Sequence, residues 1–207
     1  MKAALIVFDN MTSLDFIGFY DPLTRLKTMK FQDDFEWKIC AHSTIVSTKV
    51  SAQVSTQVSA QISDDRGLKI TADSVDESLA GYDLLFIPGG FGTRALQHDR
   101  AFVDWLITAQ NATLKIAVCT GSLLLGAAGF LTGKRATTHP SAYKELEPYC
   151  AAVVQERIVD EGSVITGGGV STSIDLGLHV VQRLAGADAR ARIAKQMDYP
   201  YGWQAKQ

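Results

Sequence analysis

The side chain best suited to chemistry is Cys119, in the stretch IAVCTGSLLLGAAGFL (116–131). It follows an apolar run typical of a buried strand and precedes Thr120, Gly121 and Ser122, small residues that can open a helix. A helix N-terminus presents unpaired N–H groups and a positive dipole end, which lower a cysteine pKa from about 8.5. The pattern predicts a nucleophilic thiolate on a sharp strand-to-helix turn, similar to the nucleophile elbow of hydrolases.

A buried core cysteine is the alternative interpretation, because free cysteines are commonly buried. It suits Cys40 and Cys150, whose neighbouring residues suggest no reaction. It does not suit Cys119, because a core cysteine has no need of a helix N-terminus or of the Thr-Gly-Ser that follows.

An acid to accompany this sulfur is predicted in the stretch MTSLDFIGFYDPL, where Asp15 lies near the start of a helix. Its neighbours along the chain are apolar: Leu14, Phe16 and Ile17. Such neighbours would desolvate the carboxyl and raise its pKa, as would a nearby thiolate, so we expect protonated Asp15 beside ionised Cys119. The sequence leaves open an ordinary first-turn acid that interacts with the helix dipole, worth under about 1 kcal/mol.

Glycine-rich strand ends supply candidate hydrogen-bond donors. In LLFIPGGFG (84–92), the N–H groups of Gly89 and Gly90 are expected to form an oxyanion hole together with the N–H of Thr120. Glycine pairs punctuate many strand-to-helix turns, so this pattern is a weak indication by itself.

A second glycine-rich stretch, VITGGGVSTSID (164–175), lacks the spacing of a dinucleotide-binding loop. We interpret it, including Gly168, as a close-packed wall of the pocket. His139, in RATTHPSAY, is assigned to the pocket lining, with a general base as the alternative.

The elements that must position these residues are predicted from hydrophobic runs. Five short runs indicate buried strands: AALIVF (3–8), FEWKICA (35–41), LLFI (84–87), KIAV (115–118) and VIT (164–166). Helical spacing lies between them, over 14–26, 96–109, 123–131 and 174–184. This alternation predicts an α/β fold with a mostly parallel, doubly wound sheet, in which ligands bind where strands end and helices begin.

One segment departs from this pattern: VSTKVSAQVSTQVSAQIS (46–63) is a near-exact tandem repeat. Apolar and polar residues alternate along it, which is a strand pattern, yet no residue typical of a hairpin turn interrupts it. We favour a duplication tolerated in a surface loop or edge extension. The alternative is a strand arm that pairs with a second subunit.

Composition favours one domain over residues 1–207, with the repeat as an insertion: 207 residues, 46% hydrophobic, suit a single core. Twenty basic and 22 acidic residues, without a basic run, disfavour nucleic acid and membrane partners. The three cysteines and four histidines lack disulfide-framework or metal-ligand spacing. The apolar run at the N-terminus is too short for a signal peptide or a membrane span, so we expect a cytoplasmic protein.

The stretches FIPGG, AVCTGSLLLGAAGFLTGKRATTHP and VITGGGVSTSIDLGLHVV, together with MTSLDFIGFYDPL, resemble the ThiJ/PfpI superfamily, with its class I glutamine amidotransferase-like fold. Within it the chain is most similar to the isonitrile hydratase branch. The resemblance implies flavodoxin-like subunits with helices on both faces of the sheet, commonly paired as a homodimer. It assigns catalysis to a Cys-Thr pair and a first-helix Asp, here Cys119, Thr120 and Asp15. The implied reaction adds water to an isonitrile through a cysteine thioimidate, giving an N-substituted formamide, without a cofactor.

The chain departs from that branch at Phe19 and Asp21, where Pro and Glu are usual, and at Pro140, where an aromatic residue is common. One alternative function is a stress-response, deglycase or glyoxalase-type member with a redox-sensitive cysteine. Protease and glyoxalase-type members typically carry His directly after the nucleophile, where this chain has Thr120. A ligand-sensing regulatory domain without turnover is an alternative of another class, disfavoured by the absence of a basic patch.

Overall fold

Eleven β-strands and six α-helices form among residues 1–43 and 60–199, the part of the chain that the computed structural model describes. The strands are β1 (Lys2–Ile6), β2 (Glu36–Ala41), β3 (Gln61–Ser63), β4 (Lys69–Thr71), β5 (Ser74–Val75), β6 (Leu84–Ile87), β7 (Leu114–Val118), β8 (Arg135–Ala136), β9 (Ala152–Val153), β10 (Ile158–Asp160) and β11 (Val164–Gly167). The helices are α1 (Ser13–Thr28), α2 (Thr93–Leu96), α3 (Arg100–Ile107), α4 (Gly121–Ala127), α5 (Tyr143–Leu146) and α6 (Thr172–Gln196).

Seven of these strands form one sheet in the order β10-β11-β7-β6-β1-β2-β5. All neighbours in it pair in parallel except β10, which is antiparallel to β11. The chain passes from β1 to β2 on one side and later returns to β6 on the other, so the sheet has a topological switch point between β1 and β6. The predicted flavodoxin-like, doubly wound and mostly parallel α/β fold is confirmed.

The five strands predicted from hydrophobic runs correspond to β1, β2, β6, β7 and β11. Every residue of β6 and β7 is buried, which is why both read as continuous apolar segments. The one charged residue among them, Lys115, is buried too, and its Nζ donates to the carbonyl of Ala112 at 2.6 Å.

Helices α1 and α6 pack against each other where their side chains are small. A Cβ atom at Gly18 of α1 would overlap the Ser173 hydroxyl of α6, so glycine permits this close approach. On the sheet side, the ring of Phe19 stacks on Phe86 of β6 with centroids 3.8 Å apart. These contacts fix α1, and with it the first turn that carries Asp15, relative to the sheet.

Three helix predictions differ from the structure. The helix predicted over 123–131 is α4, which ends at Ala127, shortly before Gly129 takes a φ of 80°. The segment predicted as one helix over 96–109 contains α2 and α3 instead, because the Asp99 side chain accepts the N–H of Phe102 at 3.1 Å and begins a new helix. The last helix continues beyond its predicted end to Gln196, with a kink at Gly186, where φ is 87°.

The tandem repeat lies largely outside the described residues, which resume at Ala60. Ala60 and Ile62 are buried whereas Gln61 between them is exposed, so the predicted alternation holds there. Strand β3 at the end of the repeat pairs antiparallel with β4 as a hairpin. The interpretation of residues 46–59 stays a prediction.

None of the helices in the two described ranges combines the length and the apolar character needed to cross a bilayer.

Candidate active site

Cys119 occupies a tight turn between β7 and α4, with φ at +55°, a region that residues with a side chain rarely adopt. Its N–H is directed at the carbonyls of Gly167 (3.0 Å) and Gly168 (2.8 Å). Its own carbonyl accepts the hydroxyls of Thr138 (2.8 Å) and Ser122 (3.2 Å). Hydrogen bonds on both sides of the residue therefore hold the conformation in place.

Gly89, at the end of β6, lies where the candidate catalytic groups converge. A Cβ atom at Gly89 would lie 2.7 Å from Cys119 Cβ, 2.7 Å from the Thr120 nitrogen and 2.8 Å from Asp15 Oδ2. The absence of a side chain at this position is what allows the three residues to meet.

Asp15 lies in the first turn of α1 and is completely buried. Its Oδ2 accepts the N–H of Gly89 at 2.9 Å, and the Cys119 side chain interacts with the same carboxyl. The other oxygen, Oδ1, is buried and has no hydrogen-bond partner among the described groups. A buried carboxyl oxygen without a partner is available to a proton or to a bound molecule.

The apolar neighbours expected to desolvate Asp15 are only partly responsible for its burial. Phe16 is buried, but Leu14 and Ile17 expose 48% and 45% of their surface. The expectation was wrong for Leu14 and Ile17, because the helix turns their side chains away from the sheet while Asp15 faces it.

Burial dominates the acidity of this pair. It raises the pKa of Asp15 to about 7, against the lowering effect of hydrogen bonds from Gly89 and Cys119, while the charge of Asp65 raises it further. Burial also raises the pKa of Cys119 to about 12, followed by the negative charge of Asp15, although hydrogen bonds from Thr120 lower it.

The prediction of an ionised Cys119 beside a protonated Asp15 is therefore wrong, because the pKa of Cys119 is raised and not lowered. Desolvation outweighs the lowering effect of the hydrogen bonds from Thr120, the residue that precedes the seven-residue helix α4. Burial thus raises the pKa of both groups and leaves the Asp15 carboxyl the more acidic of the two.

Thr120 connects the sulfur to the loop after β6. Its N–H and hydroxyl interact with Cys119. Its Oγ1 also accepts the N–H of Gly90 at 2.9 Å and lies 3.0 Å from the Gly90 carbonyl, to which it can donate.

The structure differs from the predicted oxyanion hole, because the N–H groups assigned to it already have acceptors within the protein. The N–H of Gly89 already donates to Asp15, and that of Gly90 already donates to Thr120. Both groups orient catalytic candidates and are not left unpaired for a substrate oxygen, whereas the N–H of Thr120 is directed at the sulfur.

Gly168 and His139 lie on the other side of the elbow. Gly168 donates its N–H to the Arg157 carbonyl at 2.9 Å, and its own carbonyl faces the N–H of Cys119. The His139 ring approaches Gly169, with Cδ2 3.6 Å from the position of a Cβ there, and its Nδ1 accepts the N–H of Ser141. That nitrogen is engaged within its own turn, and the assignment of His139 to the pocket lining, with a general base as the alternative, stays a prediction.

The sequence analysis gave no role to Thr138 and named Ser122 only as a helix-opening residue, yet both donate their hydroxyls to the Cys119 carbonyl. Both are fully buried, although one belongs to a loop segment and the other to a helix start. The two adjacent threonines at 137–138 are the only hint of such a contact in the sequence. Nothing in the sequence indicates that Thr138, 19 residues after Cys119, contacts it.

Across residues 1–43 and 60–199, His, Cys, Asp and Glu side chains form no group of three or more that could hold a metal ion.

Fold and site together define the class: a doubly wound α/β protein with a cysteine on a strained turn after a central strand and a buried acid beside it. Residues 1–183 match the DJ-1/PfpI family, and the chain belongs to that family. The resemblance predicted from the sequence is thereby confirmed.

Individual relatives span more than one activity. The isonitrile hydratase of Pseudomonas putida is 33% identical over 201 residues, covering 96% of this chain and 78% of that protein. The glutathione-independent glyoxalase DJ-1 of Schizosaccharomyces pombe is 28% identical, covering 61% of this chain and 68% of that protein. A crystal structure of a ThiJ/PfpI family protein from Pseudomonas syringae is 26% identical with a TM-score of 0.79, covering 100% of this chain and 78% of the other.

Proposed function

We propose that this protein hydrates isonitriles to N-substituted formamides, with Cys119 as nucleophile and Asp15 as proton carrier. The observation that carries the proposal is the buried pairing of the two side chains, with Asp15 Oδ1 left without a partner. Similarity to an isonitrile hydratase over 96% of the chain supports the reaction class.

The Cys119 sulfur and the Asp15 carboxyl must both reach the terminal carbon of the isonitrile, because that carbon receives both new bonds. The carbon carries a lone pair that takes a proton, and it then accepts a nucleophile. A single proton held by the pair is sufficient: the Asp15 carboxylate takes it from the Cys119 thiol and delivers it to carbon while sulfur attacks. The same proton serves the reaction whether it starts on the Asp15 carboxyl or on the Cys119 thiol.

The bonds balance over three steps. First the S–H bond of Cys119 breaks and C–H and C–S bonds form, giving a thioimidate and restoring the Asp15 carboxylate. Water then adds to the thioimidate carbon, with one of its protons passing to nitrogen. Finally the C–S bond breaks, the hydroxyl proton returns to sulfur through Asp15, and the formamide leaves.

The surrounding groups have supporting roles in this proposal. The N–H of Thr120 stabilises negative charge on the sulfur as it attacks and leaves, and the Thr120 hydroxyl adds to this when its one proton turns from the Gly90 carbonyl to the sulfur. Gly89 and Gly90 orient the acid and the threonine, Gly168 fixes the elbow, and His139 lines the approach. We further propose a cytoplasmic homodimer acting on a small molecule, as the family resemblance implies.

A glyoxalase activity is the second candidate, because one DJ-1 relative carries that activity. The two are separated by incubating the purified protein with an alkyl isonitrile and, separately, with methylglyoxal, and assaying formamide and lactate. Formamide without lactate is the expected result, lost in Cys119→Ser and retained in Cys150→Ser, a matched change at a partly buried cysteine away from the elbow. Lactate without formamide would replace the proposed function with the second candidate.

A further inference from the structure

The turn between β3 and β4, residues 64–68 and hereafter the hairpin turn, lies against the segment that enters α1. The carbonyl of Ser63 accepts the N–H of Asn10 at 2.9 Å, and the N–H of Asp65 donates to the carbonyl of Met11 at 3.3 Å. The hairpin at the end of the tandem repeat therefore contacts the chain immediately before the helix that carries Asp15.

Asp64 makes the strongest of these connections. Its Oδ1 accepts the N–H groups of Arg66 (2.9 Å) and Leu68 (2.7 Å), and its Oδ2 accepts the hydroxyl of Ser13. Asp64 is 5% exposed. One carboxylate thus binds the hairpin turn to the first residue of α1, two positions before Asp15.

Helix α1 has no side-chain cap of its own. The side chain of Thr12 at the N-cap position makes no capping hydrogen bond, while its backbone N–H donates to the Gly89 carbonyl at 2.8 Å. The first turn is consequently held between the Gly89 loop on one side and Asp64 on the other. A shift of that turn would move Asp15 directly, because Asp15 is its third residue.

We propose that Asp64 is a positioning residue: through Ser13 it fixes the first turn of α1 and so holds Asp15 against Cys119. The inference rests on the proposed function only in naming Asp15 as the proton carrier. Hydrogen bonds from Ser13 and the hairpin turn hold the pKa of Asp64 below its usual range, so the residue is ionised whenever the pair works. An ionised acceptor forms stronger hydrogen bonds than a neutral one.

The charged groups around the two carboxyls are few in the described part of the chain. Cys119 and Asp65 act on Asp15. Beside the hairpin turn, Asp9 accepts the N–H of Ser63, and Arg66 pairs with Asp65 at 3.0 Å. A variant that alters the Ser13 hydrogen bond without altering any of these charges isolates positioning from electrostatics.

Ser13→Ala is that variant, and Ser13→Thr is its matched control, because threonine keeps the hydroxyl. We expect Ser13→Ala to lower kcat for an alkyl isonitrile by about 10- to 100-fold, through displacement of the acid, with KM changed less than about threefold. The pKa of Asp15, followed by NMR titration of ¹³C-labelled aspartate and assigned with Asp15→Asn, should fall as water enters. Ser13→Thr should restore both quantities.

Asp65→Asn removes a charge near Asp15 and leaves the Ser13 hydrogen bond in place, so it should lower the Asp15 pKa slightly without the loss of kcat. If the protein hydrates no isonitrile, the titration still decides, because a lowered Asp15 pKa in Ser13→Ala supports positioning. An unchanged pKa in Ser13→Ala, or an effect that Ser13→Thr fails to restore, would overturn the inference.

Discussion

At the scale of single residues, the central feature is the buried pairing of Asp15 with Cys119, whose pKa values are both raised by burial. Residue types and context were enough to predict the pair, because an elbow cysteine and a first-helix acid are both local patterns. They were not enough to predict that the pKa of Cys119 is raised and lies above that of Asp15. That depends on desolvation by the whole fold, which raises the pKa of Asp15 to about 7 and that of Cys119 to about 12.

The pH dependence of turnover follows from this order of acidities. The carboxylate of Asp15 must be free to receive the thiol proton, so kcat/KM for isonitrile hydration should rise with pH through an apparent pKa of about 7. Initial rates between about pH 5 and pH 9 measure it. A profile that falls through the same range would show that the doubly protonated pair is the active form.

The free energy of unfolding should decrease over the pH range in which turnover increases. Because the folded-state pKa of Asp15 is raised from 3.8 to about 7, its favourable contribution is complete below pH 3.8 and is lost as pH rises towards 7. Asp15→Asn should therefore stabilise the protein at pH 8, by on the order of 2–4 kcal/mol in urea unfolding, and by less at pH 5.

Asp21→Asn is the matched control for that prediction, because Asp21 is a half-exposed carboxylate paired with Arg25 at 2.9 Å. Its loss should change the free energy of unfolding by no more than about 1 kcal/mol at either pH. Equal stabilisation by Asp15→Asn at pH 5 and pH 8 would contradict the raised pKa.

At the scale of elements, hydrophobic runs identified the strands that end at the site, since a strand buried on both faces is apolar throughout. The runs could not reveal the short antiparallel strand β10 or the division of one predicted helix into α2 and α3. Nor could they reveal the hydroxyl of Thr138 on the Cys119 carbonyl, because that contact depends on how a loop 19 residues later returns to the sheet.

The close approach of β6, α1 and α4 at Gly89 gives an element-scale prediction. Gly89→Ala would force a methyl group to within 2.7 Å of Cys119 Cβ, so the elements must separate. We expect turnover to fall by at least about 100-fold and stability by about 1–3 kcal/mol. Gly81→Ala, where an added Cβ meets nothing within 4 Å, should leave both close to wild type; equal behaviour of the two variants would contradict the packing argument.

At the scale of the whole molecule, family membership agrees with the predicted topology, while the tandem repeat has no role in the proposed chemistry. The repeat enters the described structure only through the hairpin of β3 and β4. We therefore propose that its length can vary while the hairpin stays intact.

Deleting residues 47–58, which leaves the hairpin complete, should preserve isonitrile turnover within about threefold, because every residue assigned to the proposed chemistry lies outside the deleted segment. Light scattering on the same variant measures its mass. A dimer in both proteins agrees with a tolerated insertion. Conversion of a wild-type dimer to a monomer would instead favour the strand arm.

The covalent intermediate provides the most direct measurement. Protein quenched in acid during turnover of an alkyl isonitrile should gain the mass of one isonitrile molecule, located on Cys119 by peptide mass spectrometry. The adduct should form in Cys150→Ser and be absent from Cys119→Ser. Formamide production that persists in Cys119→Ser, with no adduct in the wild-type protein, would contradict the account.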